Sequence, residues 1–110
     1  MITKKTLHWV GTSLDDLKGF PLNIKRDAGY QLDRVQSGND PDDWKPMKTV
    51  GAGVREIRLK GTDGIYRIFY IVVTDSSVYV LHAFKKTSQK TPKKDIDKCK
   101  GRFKEVMRTK

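Results

Sequence analysis

The stretch from Val54 to Lys86 constrains this chain most. It reads VREIRLK-GTDG-IYRIFYIVV-TDSS-VYVLHAFKK, three runs rich in Val, Ile, Tyr and Phe broken twice by short turn-forming clusters. That is the pattern of two β-hairpins in series. The middle run, 65–73, is apolar on both faces, as expected of a central strand. Pairing Gly61 with Gly64 around Thr62 and Asp63 sets Lys60 against Ile65, Arg58 against Arg67 and Glu56 against Phe69. Pairing Thr74 with Ser77 sets Arg67 against Phe84 and Phe69 against His82. A three-residue loop with a bulge at Gly64 is the alternative, and it would give Arg67 other neighbours.

Directly opposed residues project to the same face of a sheet. One face then carries Ile57, Leu59, Tyr66, Ile68, Tyr70, Val72, Tyr79, Leu81 and Ala83, and reads as core. The other carries Arg58, Lys60, Arg67, His82 and Lys86 with Phe69 and Phe84 among them. Cations interleaved with aromatics on an open sheet face make an anion-binding surface. The plainer reading of Arg67 is a side chain that snorkels over the sheet or pairs with Glu56.

A chain of 110 residues fits one domain, 1–110, with one modest core. Its net charge of +10 points to polyanionic partners: RNA, DNA, a membrane surface or an acidic protein. No apolar run is long enough to span a bilayer, and none follows the N-terminal lysines as a secretory leader requires. The single cysteine, Cys99, excludes an internal disulfide framework and fits a reducing cytoplasm. It stands at helical spacing with Ile96 and Phe103 and reads as a small buried hydrophobe. Two scattered histidines and one cysteine offer no metal site, and no cofactor is implied.

Thr6–Val10 reads as a first strand. A helix then starts at Ser13, with the serine hydroxyl as cap and Asp15 and Asp16 in its first turn. A second helix runs from Pro21 to about Ser37, with Ile24, Ala28, Leu32 and Val35 as its apolar stripe and Gly38 as its stop. Residues 39–46 form a polar loop and Met47–Val50 a short strand. A last helix starts with Thr91 as cap and Pro92 in its first turn, with Ile96, Cys99, Phe103 and Val106 on one side and lysines and arginines on the rest. The order is β-α-α-β-β-β-β-α. It predicts an α+β fold in which a helical hairpin and a C-terminal helix pack on one face of a mainly antiparallel sheet of four to five strands.

Six motifs carry a family resemblance. They are W-x-G-x-S-L-x-D-L from Trp9, G-Y-Q-L from Gly29, D-W-K-P-M from Asp43, G-x-G-V-x-E-I-R from Gly51, Y-R-I-x-Y from Tyr66 and L-H-A-F-K-K-T-x-Q-K-T-P from Leu81. In this order the chain resembles the RelE/ParE superfamily of bacterial toxins, in its phage-derived, HigB-like branch. The resemblance implies a cytoplasmic toxin with a RelE-like fold, neutralised by a cognate antitoxin, often a helix-turn-helix (HigA-like) protein of the same operon. It further implies metal-independent cleavage of mRNA on the ribosome, with the ribose 2′-hydroxyl attacking the adjacent phosphate. The RelE spacing of a basic residue, another two along and an arginine seven further falls on Arg58, Lys60 and Arg67. RelE has an arginine-rich segment after its last strand and a tyrosine in its final helix. Here that segment is Lys85 to Lys90, and no tyrosine follows Tyr79, so His82 is the natural substitute for the proton donor.

On this reading Arg67, Lys60, His82 and Lys86 carry the chemistry, and Arg58, Lys85, Lys90, Phe84 and Phe69 bind the RNA. The alternatives are a ParE-like toxin that inhibits gyrase by binding, and a nonenzymatic RNA- or antitoxin-binding module with a degenerate site.

Overall fold

A computed structural model describes residues 4–86 and 91–109. Strands β3 (Arg55–Gly61), β4 (Gly64–Thr74) and β5 (Ser77–Lys86) form the two hairpins. Their register is the one read from the turns: Arg58 opposes Arg67, Glu56 opposes Phe69, Arg67 opposes Phe84 and Phe69 opposes His82. Neither Thr62 nor Asp63 has positive φ, and Gly64 takes φ +144°. The glycine thus absorbs the unusual backbone while Gly61 still pairs with Gly64.

Beyond Phe69 simple alternation fails. Phe69 opposes His82, but Tyr70 opposes Val80, so Leu81 is the extra residue of a β-bulge. Side chains on the far side of the bulge change faces. Leu81 and Tyr79, expected in the core with Tyr70, lie instead with Phe69 and Ile71, and Val78 and Val80 take their places. Val72, also expected in the core, is 42% exposed. It stands at the rim of a hollow beside Gly38 and Asn39, past the end of the helix that covers its neighbours.

The sheet is completed by β1 (Thr6–Trp9) and β2 (Trp44–Pro46), in the order β1-β5-β4-β3-β2. Strand β1 runs parallel to β5, and the other pairings are antiparallel. Strand β2 falls where a loop was expected, and residues 47–50 turn where a strand was expected. Pro46 can sit on an edge strand but cannot extend its ladder. The chain then reverses, with Met47 N–H donating to the Val54 carbonyl and Val50 N–H to that of Met47.

Helices α1 (Ser13–Lys18) and α2 (Leu22–Gln36) form the N-terminal hairpin, and α3 (Lys93–Thr109) follows the last strand. The stripe Ile24, Ala28, Leu32 and Val35 packs on Ile57, Leu59, Ile68 and Val80. On the opposite face, Cys99 and Val106 of α3 pack with Phe69, Ile71 and Leu81. The helices therefore divide between the two faces rather than sharing one. Strand β4 dictates this, because it is apolar on both faces and either one left bare would expose Phe69 and Ile71 or Ile68 and Tyr70 to water. The face expected to be open is thus partly roofed by α3.

Two contacts lock that roof. Arg102 donates from Nη1 to the Leu81 carbonyl (2.8 Å) and from Nη2 to Thr12 Oγ1 (3.1 Å). Gly51 lets Phe103 approach so closely that a Cβ there would lie 2.5 Å from the ring. The Ser13 hydroxyl does not cap α1; it donates to the Val80 carbonyl. Among the described residues, no helix is long and apolar enough to cross a membrane.

Candidate functional site

Register places the charged residues in three successive rows across the sheet. Lys45, Glu56, Phe69 and His82 form one; Arg58, Arg67 and Phe84 the next; Lys60, Ile65 and Lys86 the third. The first row ends beneath α3. Lys45, Arg67 and Lys86 gather about one carboxylate.

That carboxylate is Glu56, which has no exposed surface. Its Oε1 accepts a hydrogen bond from Nη1 of Arg67, itself buried, and lies 3.9 Å from Lys45 Nζ. A buried carboxylate stays ionised only when so compensated. Lys86 is also buried, only 6% exposed. Burial, reinforced by the charges of Arg67, Lys45 and Arg58, pushes its ammonium below the ordinary lysine value, and Glu56 opposes the shift. A lysine so placed gives up its proton more readily and can serve as a base.

Lys86 and Lys45 lie on one side of an open cleft of about 550 Å³ between the turn after β2 and the start of α3. Met47 and Ile96 supply its apolar lining, and Lys93 and Lys100 the opposite rim. Lys93 is engaged with Asp97 at 2.7 Å. Arg58 is held by the acidic loop: its Nε lies 3.3 Å from Asp43 Oδ1, and its N–H donates to the Asp43 carbonyl. Lys60 is exposed, beside Arg58, Asp42 and Asp43. Among the described residues, no group of three His, Cys, Asp or Glu side chains could hold a metal ion.

Arg58, Arg67 and Lys86 are thus brought together as the sequence suggested, and Lys60 flanks them. His82 is buried instead of standing on an open face: its Nε2 lies 2.8 Å from Asp95 Oδ1 and its ring stacks on Phe84 at 4.8 Å. Phe69 is core, edge-on to the half-buried Phe84. Lys85 leaves the cluster altogether. It projects to the α2 side, bonded to Asp63 at 3.1 Å near the Tyr66 ring. Lys90 lies outside the described residues. Lys45 went unnoticed in the sequence because a three-residue edge strand ending in proline reads as loop. The D-W-K-P motif around it was the signal available.

A family model described as Phage derived protein Gp49-like (DUF891) matches residues 15–104. The chain belongs to the Gp49-like family. No curated protein matches this Gp49-like chain. Among solved structures, it is similar to E. coli toxin RelE, a mutant with two arginines replaced by alanine, in the free state. The TM-score is 0.66 at 14% identity, over 94% of this chain and 98% of that one. It is also similar to the toxin–antitoxin complex RelBE2 from Mycobacterium tuberculosis. There the TM-score is 0.55 at 21% identity, over 76% of this chain and 99% of that one. At these identities the Gp49-like chain shares the RelE fold, which is the fold its six motifs pointed to.

Proposed function

We propose that this Gp49-like chain is the toxin of a toxin–antitoxin pair, acting in the cytoplasm as an endoribonuclease on mRNA in the ribosome. The observation that carries the reading is the clustering of Lys45, Arg58 and Arg67 around Lys86, with Lys45 and Lys86 lining one open cleft and Lys86 shifted toward its neutral form. The RelE fold and the family's phage origin support it. Neutral Lys86 takes the proton of a ribose 2′-hydroxyl. The 2′-oxygen attacks the adjacent phosphorus, and Arg67 and Arg58 stabilise the extra negative charge on the phosphoryl oxygens. The bond from phosphorus to the 5′-oxygen breaks, and that oxygen takes a proton from solvent or from a protonated lysine of the rim. The products are a 2′,3′-cyclic phosphate and a 5′-hydroxyl. Arg58 exchanges Asp43 for the phosphate on binding, and Lys60 and the lysines of α3 hold the flanking backbone. An acidic segment of the antitoxin lying over the same cations would silence the site.

The test is to map mRNA 5′ ends minutes after induction. Cuts within translated codons, lost in Lys86→Met, are expected. Intact mRNA with an SOS response would overturn the reading in favour of a gyrase poison.

A further inference from the structure

We propose that Glu56 is a positioning residue that orders Arg67 and Lys86 for the reaction without touching the substrate. The inference rests on the ribonuclease reading for its chemistry and on geometry for its place.

Glu56 and Arg67 meet end-on. Oε1 takes the single bond from Nη1, while Oε2 and Arg67 Nε have no hydrogen-bond partner among the described residues. An arginine–carboxylate pair built for mutual satisfaction uses a two-pronged fork. The single contact fixes the direction of the guanidinium and leaves its remaining donors for another anion. The charges agree. Asp43 faces Arg58, and among the described residues Glu56 alone faces Lys45, Arg67 and Lys86, so the cluster keeps an excess of positive charge. Completing it requires an anion, and a phosphate supplies one.

Lys86 is the second group that Glu56 governs. The charged groups around it are Lys45 on β2, Glu56 and Arg58 on β3, Arg67 on β4, and Lys93, Asp97 and Lys100 on α3 across the cleft. On the sheet side Glu56 is the one anion among the described residues, and it holds the lysine's proton on against burial and three cations. It thereby sets the pH at which the amine becomes a base.

The experiment compares wild type with Glu56→Gln, which keeps shape and removes charge. Three quantities are read: single-turnover cleavage on translating ribosomes against pH, affinity for RNA carrying 2′-deoxyribose at the cleavage site, and the titration of the Lys86 ammonium by NMR. Cleavage should fall about 10²-fold, as for an ångström of misplacement. Affinity for the uncleavable RNA should hold or tighten, because a negative charge has gone. The alkaline rise in rate and the Lys86 titration should both move to lower pH. In the Glu56→Gln background, Arg67→Gln should cost far less rate than in wild type, since the two act as one unit.

Equal losses of rate and affinity, an unmoved Lys86 titration, or additive effects of the two substitutions would overturn the proposal. If Glu56→Gln does not fold, Glu56→Asp retains the charge with a shorter reach. It should lower the rate and leave the Lys86 titration near that of wild type; a full rate would count against positioning. If wild type itself cuts no mRNA, the ribonuclease reading falls, while the titration in the free protein still decides whether Glu56 governs the cluster.

Discussion

His82 Nε2 lies 2.8 Å from Asp95 Oδ1, and that contact fastens the last strand to the first turn of the last helix. Burial pushes the imidazole below its ordinary 6.5, with Asp95 pulling the other way. An unfolded chain therefore binds the proton first as pH falls. Between the unfolded and folded pKa values the unfolded state holds more protons, so stability drops on acidification below about 6.5 and recovers above it. Urea midpoints measured from pH 7.5 to 5 should fall, and His82→Gln should flatten that limb. Cleavage by folded His82→Gln should keep the pH dependence of wild type, because the ring lies beneath α3 and not in the cleft. A lost acid limb of cleavage would restore the histidine as proton donor.

Lys86 predicts the opposite limb. Its ammonium is depressed by burial and by Arg67, so the active neutral amine accumulates as pH rises through a value below the ordinary 10.5. Single-turnover cleavage should climb with pH over that interval. Lys86→Met should remove the climb and slow the reaction by about 10²–10⁴, the span of general base catalysis. Lys85→Met, which touches only the Asp63 and Tyr66 side of the sheet, should leave the profile unchanged. A rate in Lys86→Met that still rises with pH would assign the base elsewhere.

The two hairpins were legible because turn residues and strand runs are local signals, and they carried the register of Arg58, Arg67 and Phe84 with them. What escaped the sequence was non-local. Nothing in the spacing of Tyr79 and Leu81 announces the bulge that turns them over, since it answers to packing under α3. The apolar faces of β4 did imply cover on both sides, yet the partner of the second face lies after residues 87–90, far along the chain. Register brought Arg58, Arg67 and Lys86 together but not Lys85, and it gave no sign of burial, because Glu56 looks like any polar strand residue until its row is roofed. Cys99 was the converse case: helical spacing placed it in the core, and burial there pushes its thiol up to about 12.

Gly51 tests the seat of α3. A methyl group at this position would meet the Phe103 ring at 2.5 Å. Neither the ring, packed on the second core cluster, nor the turn that ends at Val54 can yield without loosening the helix. Gly51→Ala should destabilise the protein by about 1–3 kcal/mol, as overpacking does. Gly101→Ala, where nothing lies within 4 Å, should be neutral or slightly stabilising through helix propensity. Denaturation midpoints of the two variants that coincide would mean Phe103 does not sit against that turn.

The pair Glu56 and Arg67 tests whether the cluster is kept for stability or for function. Removing Arg67 takes the hydrogen-bonded cation from a carboxylate with no exposed surface, at a site where the arginine itself is 5% exposed. Arg67→Met should therefore cost about 3–5 kcal/mol, a large share of a typical domain's stability. Arg67→Ala would blur loss of chemistry with loss of fold. Replacing both, Glu56→Leu with Arg67→Met, exchanges the ion pair for apolar contacts of similar volume. Such exchanges are often neutral or stabilising. The double variant should thus recover most of the stability lost in Arg67→Met and regain none of the toxicity. Thermal unfolding read beside growth arrest separates the two effects. A double variant as unstable as Arg67→Met would show that packing around the pair, and not an unpaired charge, sets the cost. One that arrested growth like wild type would remove Arg67 from the chemistry.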